Sequence, residues 1–318
     1  MKAFITGGAG FIGSNLADRL IKDGHKVVVY DNFSTGQVEF TEHHQQNPAY
    51  TIIEGDVLDK TDLTRAMRAC DFVFHFQANA DVRGGITNTL IDVEQNIMGT
   101  HSVLEAMRFN DIKYIAFASS ATIYGEPEKF PTPEDIAPVQ TSLYGASKYS
   151  AEALIQSYCE YYDMKSWIFR FVSFMGPRYT HGVIFDFMKK LKADPKRLHI
   201  MGDGTQRKSY LHVFDGINAI LMAIKKSHHK TNIFNLGNKE WINVRDLADL
   251  VCKLMELKNV EYTFEGGIRG WKGDSPFVHL DISRICSLGW SPKYSVKETI
   301  SDTVKFLQEN EDLLYTRK

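Results

Sequence analysis

A phenol and an ammonium stand four residues apart in Tyr144-Gly145-Ala146-Ser147-Lys148, a spacing that puts both on one face of a helix. Tyrosine is a poor base at its ordinary pKa, but a fixed positive charge close by favours the phenolate and draws it toward neutrality. Lys148 supplies such a charge. Ser120 follows the apolar run Tyr114–Ala118 and offers a hydroxyl that can hydrogen-bond the same substrate oxygen. Together the three suit removal of an alcohol proton while hydride leaves its carbon. Taken alone, the Tyr144–Lys148 pair is also what an ordinary exposed helical pair looks like, so its meaning depends on what else the chain carries.

The decisive companion lies at the start, in Gly7-Gly8-Ala9-Gly10-Phe11-Ile12-Gly13. Gly7, Gly10 and Gly13 sit between an apolar strand, Lys2–Thr6, and a segment from Ser14 to Asp23 with apolar residues at helical spacing. Such a turn lets backbone N–H groups and a helix N-terminus face a pyrophosphate, with Phe11 and Ile12 among the expected cofactor contacts. Asp31 ends the next apolar run about twenty residues on, where a carboxylate accepts from both hydroxyls of an adenosine ribose and repels a 2′-phosphate. No arginine follows it in Asn32-Phe33-Ser34-Thr35-Gly36. These residues point to NAD rather than NADP, and an oxidised nicotinamide adds a second positive charge for Tyr144. Asp56 and Val57 close the third strand and border the adenine, or Asp56 is simply a cap.

The elements that must hold these groups alternate. Gly24 ends the first helix; Val27–Tyr30 reads as a strand buried on both faces. Strand Tyr50–Glu54, helix Leu63–Ala69, strand Phe72–Phe76, a long helix Asp92–Phe109, strand Tyr114–Ala118 and helix Tyr144–Tyr161 continue the order to strand Trp167–Phe171. This predicts an α/β fold, a Rossmann-type doubly wound parallel sheet, with a smaller mixed α/β substrate domain after it. Gly176-Pro177-Arg178 breaks the rhythm. Residues 1–172 are therefore expected to form the NAD domain, with a return segment near 211–237 (helix His212–Ile224, strand Ile233–Leu236), and 173–318 a discontinuous second domain.

Bulk properties limit the alternatives. The chain has 318 residues, 43% hydrophobic and 24% charged, with a net charge of −2. No apolar run is long enough to span a bilayer, no signal peptide is expected, and no basic field suits nucleic acid. A cytoplasmic protein with no membrane and no nucleic-acid partner is expected. Cys70, Cys159, Cys252 and Cys286 lack metal-ligand spacing and read as buried thiols; no metal is expected.

The set TGGAGFIG, DNFSTG, GDV, SSATIYG and YGASK, in this order and spacing, closely resembles the extended short-chain dehydrogenase/reductases that act on nucleotide sugars. The likeness runs nearly to the end, through Gly176-Pro177-Arg178, Gly202–Asp215, Phe234-Asn235-Leu236-Gly237 and Arg269–Asp274. It implies Ser120, Tyr144 and Lys148 as the catalytic set, Asn96 beside the nicotinamide, and a homodimer built on the two long helices. It also implies a nucleotide-sugar substrate. The family's usual HLAA strand end reads His75-Phe76-Gln77-Ala78, so Phe76, Gln77 and Ala78 would border the cofactor, with Gln77 adding an amide.

Branches of that family differ just after Ser120. The 4,6-dehydratases usually carry Asp-Glu there, an acid and a base for removing water, and uronate decarboxylases a glutamate; here the residues are Ala121 and Thr122. Epimerase-reductases acting at C3 and C5 use a cysteine and a histidine, and no cysteine lies near this strand. The Ser-Ala-Thr-x-Tyr-Gly version matches 4-epimerases resembling UDP-glucose 4-epimerase: Tyr144 would take the 4-hydroxyl proton, C4 hydride would pass to NAD, and the 4-keto sugar would turn and take hydride back on its other face. A UDP-hexose or UDP-uronate is the implied substrate. A 4-dehydrogenase or 4-ketoreductase would use the same three residues for one hydride transfer, and an NAD-binding sensor would use none of them.

Departures fall on the substrate side. Ser173 stands where relatives often have asparagine, and Lys208 where an arginine is expected to clamp phosphate, with Arg207 one position early. A lysine neutralises phosphate without the planar two-pronged contact. Arg269 and Lys272 are further phosphate candidates or surface charge. Arg178, Tyr179, His181, Tyr210 and Thr122 are expected near the sugar nucleotide, although His181 is equally an ordinary loop histidine.

Overall fold

The computed structural model describes residues 1–316. Its order is β1 (Lys2–Thr6), α1 (Phe11–Lys22), β2 (Lys26–Asp31), β3 (Tyr50–Glu54), α2 (Lys60–Ala66), β4 (Phe72–His75), α3 (Gly99–Phe109), β5 (Tyr114–Ser120), α4 (Leu143–Tyr161), β6 (Lys165–Phe171), β7 (Ser173–Met175), α5 (Val183–Ala193), β8 (Arg197–Ile200), β9 (Arg207–Lys208), β10 (Tyr210–His212), α6 (Val213–Lys226), β11 (Thr231–Leu236), β12 (Ile242–Asn243), α7 (Val244–Leu254), β13 (Glu261–Phe264), β14 (Phe277–Val278), α8 (Ser283–Cys286), α9 (Val296–Glu309) and α10 (Leu313–Thr316). By contacts the chain divides into two units: residues 1–123, 142–170 and 220–234, and residues 124–141, 171–219 and 235–318. Residues 124–141, which the sequence reading keeps in the first domain, go with the second, and of the expected return segment near 211–237 only residues 220–234 join the first unit.

The first unit is built on a seven-stranded sheet ordered β11-β6-β5-β4-β1-β2-β3. β1 pairs in parallel with both β2 and β4, so the strand order reverses there. This is the switch point outside whose carboxyl ends ligands bind in doubly wound sheets. The continuous apolar run of β2 is explained by burial on both faces: Val27, Val28, Val29 and Tyr30 are all buried. Phe4, Leu63, Met67, Val73, Leu104, Met107, Ile115, Phe117 and Ile155 join them in one core cluster.

Two expectations change locally. The first helix starts at Phe11 rather than Ser14, because Gly10, extended at φ −79° and ψ 177°, serves as its N-cap. The helix expected over Asp92–Phe109 is not uniform: Val93–Met98 forms a π-helix that passes into α3. A π turn widens the helix and re-aims side chains, and here it falls on Asn96. α4 is capped by Ser142, whose hydroxyl accepts from Gly145 N–H at 3.1 Å.

In the second unit, β7 runs parallel to β10, β9 lies between β12 and β14, and β13 pairs with β8. α9 begins with a reciprocal cap: Ser295 accepts from Glu298 N–H, and the Glu298 carboxylate accepts from Ser295 N–H. Cys70, Cys159 and Cys252 are buried and Cys286 is half-buried; all four are free.

Candidate active site

The glycine turn is held by geometry no other residue fits. Gly7 has φ +68°, and a Cβ on it would stand 2.8 Å from Gln77 N across the switch point. A Cβ on Gly13 would stand 2.2 Å from the Gly7 carbonyl oxygen. Gly10 N–H donates to that same oxygen at 3.2 Å. The turn thus leads straight into α1, with Phe11 buried, Ile12 half-buried and no side-chain cap at Gly10. First-turn N–H groups at such an end suit a phosphate anion.

Asp31 is buried at the end of β2, where burial raises its pKa and bonds from Phe33 and Ala9 counter that rise. Ala9 N–H donates to Oδ2 at 2.9 Å and Phe33 N–H to Oδ1 at 2.9 Å. The carboxylate is therefore locked against the glycine turn, and a Cβ at Gly36 would come within 2.9 Å of it. Asn32 Nδ2 donates to Asp56 Oδ2 at 3.0 Å, and its Oδ1 accepts from Ser34 N–H at 3.0 Å. Asp56 also accepts from Leu58 N–H, and Val57 is buried beside it. Ser34 and Thr35 are exposed. An anion cradle, an oriented carboxylate and a short loop without arginine fit a dinucleotide lacking a 2′-phosphate.

On the other side of the switch point Gln77 donates from Nε2 to Gln95 at 2.9 Å, while its Oε1 is buried and unpartnered. Phe76 and Ala78 flank it, half-buried. His75, wholly buried, lies 2.8 Å from Thr6 Oγ1 through Nδ1 and 3.0 Å from Thr100 Oγ1 through Nε2. Burial, with repulsion from Lys148, lowers its pKa to about 3, so it stays neutral.

Lys148 Nζ donates to the Ala118 carbonyl of β5 at 2.8 Å and lies over the rings of Phe117 (4.9 Å) and Tyr144 (5.9 Å). Ser120 is two residues further along the same strand. Thr122 donates to Ser120 Oγ through its hydroxyl at 2.9 Å and its N–H at 3.2 Å, which fixes the serine oxygen. Beneath, Asn96 donates to Ser147 Oγ at 2.8 Å and accepts from Asn79 N–H at 2.9 Å. Asp92 Oδ1 accepts from Asn79 and Asn96, and its Oδ2 is buried without a partner. One turn beyond Lys148, Glu152 is wholly buried against Arg170 and accepts from Ser119 Oγ. Asp92, Asn79, His75, Ser147 and Glu152 were not singled out from sequence, because what marks them is burial and cross-strand pairing.

Charges correct one expectation. Burial raises the Tyr144 pKa above its ordinary value, and Asp92 raises it further. Burial lowers Lys148 to about 7, opposed by Asp92 and Glu152. The drop in the Tyr144 pKa expected from Lys148 is therefore absent from the chain's own electrostatics; a further positive charge is needed, and a bound oxidised nicotinamide carries one.

The expected substrate residues lie in the second unit, Thr122 excepted. Ser173 is exposed at the start of β7, paired with Tyr210 of β10. Tyr179 and Tyr210 are buried, and burial raises both phenols. Tyr179 stacks on His181 at 5.7 Å, and Arg178 before it has φ +72°. Lys208 pairs with Asp274 at 2.6 Å. Arg269 pairs with Glu126, Nε donating at 2.9 Å. Arg207 lies over Phe277 at 4.0 Å and Trp241 at 5.3 Å. Three of the cations expected to meet phosphate thus have protein partners, and Lys272 is exposed.

Residues 3–237 match the model of the NAD dependent epimerase/dehydratase family. The chain belongs to that family. It is 33% identical over 320 residues to a putative UDP-glucose 4-epimerase of Methanocaldococcus jannaschii, covering 96% of this chain and 98% of that one. Its fold is similar to the crystal structure of UDP-glucose 4-epimerase from Thermotoga maritima with UDP-glucose (TM-score 0.88, 31% identity, 98% and 100% covered). It is similar as well to UDP-glucuronic acid 4-epimerase from Bacillus cereus in complex with UDP-glucuronic acid and NAD (TM-score 0.87, 29% identity, 98% and 100% covered). This member of the epimerase/dehydratase family is thus an NAD-dependent enzyme with the extended short-chain dehydrogenase/reductase fold. No helix among its described residues is long and apolar enough to cross a membrane.

Proposed function

We propose that this enzyme is a UDP-sugar 4-epimerase acting on a UDP-hexose or UDP-uronate. The observation that carries the reading is the pair after Ser120: Ala121 has no ionisable group, and the Thr122 hydroxyl is committed to Ser120 Oγ. Neither can protonate a departing hydroxyl or take a C5 proton, so the strand end serves redox at C4 without elimination. The names of the relatives support the same substrate class and reaction.

In this reading the glycine turn and Asp31 hold the pyrophosphate and adenosine ribose of NAD, and Asn32, Ser34, Thr35, Gly36, Asp56 and Val57 border the adenosine. Bound NAD supplies a hydride acceptor and a positive charge. Ser120, held by Thr122, hydrogen-bonds the sugar's 4-oxygen. Tyr144 takes the 4-hydroxyl proton and later returns it, and Lys148, anchored on the Ala118 carbonyl, fixes the charge beside the phenol. Phe76, Gln77, Ala78 and Asn96 line the nicotinamide side. For the nucleotide and sugar the proposed contacts are Ser173, Arg178, Tyr179, His181, Arg207, Tyr210 and Lys272, with Lys208 and Arg269 already paired to Asp274 and Glu126. A second copy of the chain would pack on the two long helical segments, where Met98, Phe109, Tyr149 and Tyr161 are exposed.

The test is a panel of UDP-sugars incubated with the purified protein, with products resolved by NMR and NADH followed by absorbance. A C4 epimer formed without net NADH supports the assignment. NADH accumulating in proportion to sugar consumed would replace it with a dehydrogenase, and a 4-keto-6-deoxy product with a dehydratase.

A further inference from the structure

A second cluster lies in the first unit, on residues the epimerase chemistry does not use. His43 and His44, in the short 3-10 turn Glu42–His44, both aim Nε2 at one oxygen of Asp18 on α1, at 3.0 and 2.8 Å. Successive residues in a 3-10 turn leave the axis about 120° apart, so the backbone alone would send these rings in different directions. Instead the ring centroids are 4.0 Å apart and the three donor atoms lie within 4.8 Å of one another. Among the described residues this is the one such convergence of three metal-ligating side chains.

We propose that Asp18, His43 and His44 bind a divalent transition ion, with Zn2+ the best match. Two imidazole nitrogens beside one carboxylate suit Zn2+, Co2+ or Ni2+ rather than Ca2+ or Mg2+, which take oxygen ligands. Ligand bonds of about 2.0–2.2 Å in a tetrahedral site hold neighbouring donors about 3.3 Å apart, so the two His–Asp spacings of 3.0 and 2.8 Å need to open by a few tenths of an ångström, and the two imidazole nitrogens already lie within 4.8 Å of each other. His44 is 12% exposed, Asp18 34% and His43 47%, which leaves the fourth position to water and makes the ion exchangeable. Bound there, it ties residues 42–44 to α1. That helix opens at the glycine turn, and residues 42–44 follow the Asn32–Gly36 loop. The ion thus braces the adenosine side of the cofactor site from outside it.

The experiment uses the full-length untagged protein with CoCl2 and ZnCl2 alone. Expected are visible d–d absorption at one Co2+ per chain, displaced by Zn2+, and a thermal midpoint raised by roughly 2 °C at a Zn2+ concentration tenfold above Kd. His43→Ala and Asp18→Asn, each checked for native circular dichroism, should weaken Zn2+ binding at least about tenfold. Replacing the other adjacent pair, His228→Ala with His229→Ala, should leave it unchanged. Lack of a saturable Co2+ signal, a thiolate charge-transfer band showing cysteine ligation, or binding that survives His43→Ala and Asp18→Asn overturns the assignment.

Discussion

Replacing Lys148 by methionine should make the protein more stable while abolishing its activity. The side chain is 2% exposed, and burial takes its pKa from an ordinary 10.5 down to about 7. At about 1.4 kcal/mol for each tenfold change in proton affinity, holding the ammonium there costs the folded state about 5 kcal/mol. Methionine of similar length removes that cost. Against it stand the lost hydrogen bond to the Ala118 carbonyl, about 1–3 kcal/mol, and the lost cation–π contact with Phe117, about 1 kcal/mol. The net expectation is a gain of about 1–3 kcal/mol near neutral pH. Its sign changes with pH. Below about 7 the amine is protonated in both folded and unfolded chains and the full cost is present. Between about 7 and 10.5 the unfolded chain binds a proton that the folded chain lacks, so wild-type stability rises relative to the variant by about 1.4 kcal/mol per pH unit. Urea unfolding of both proteins at about pH 7 and about pH 10 measures the difference directly. A variant less stable than wild type at neutral pH, or a difference that does not move with pH, would refute the picture of a costly buried ammonium retained for catalysis.

Tyr144→Phe should lower kcat by about 10²–10⁴-fold with NADH affinity nearly unchanged; retention of full activity would remove Tyr144 from the chemistry. Asp31→Ala should raise the NAD dissociation constant at least about tenfold and narrow any preference over NADP, since it deletes the proposed ribose acceptor and frees the Ala9 and Phe33 N–H groups; fluorescence titration with NADH and NADPH reads both. Glu152→Leu should destabilise by about 3–5 kcal/mol by leaving Arg170 buried and unpaired, whereas Glu152→Leu combined with Arg170→Met should recover most of that loss. Equal unfolding midpoints for the single and double variants would argue against a buried ion pair as the source.

The residues proposed for hydride transfer are legible because their spacing is local. Tyr144 and Lys148 are related by one helical turn, and the glycines act through the backbone of a single strand–turn–helix unit, so their types and order carry the geometry. Asp31 was legible for the same reason, as the last residue of a strand that reads as wholly buried. The limits of the sequence show at Asn96: its helix looked uniform, and only the packed structure makes Val93–Met98 a π turn that brings Asn96 to Ser147 and Asn79.

Long-range partners were invisible for a physical reason. Lys208 and Arg269 read as free cations along the chain, yet Asp274 and Glu126, 66 and 143 residues away, neutralise them. Likewise a lysine beside a tyrosine implies a lowered phenol pKa only while burial is unknown. Desolvation, which depends on every atom packed around Tyr144, raises the phenol instead, and the Asp92 carboxylate raises it further. The sequence by itself determined the alternating fold and the glycine turn and marked Asp31, Ser120, Tyr144 and Lys148 as candidates, because these follow from periodicity, short spacing and motif resemblance. Only the tertiary structure decided which charges are buried, which are already paired, and that His43 and His44 converge on Asp18, because those depend on contacts between segments distant in the chain.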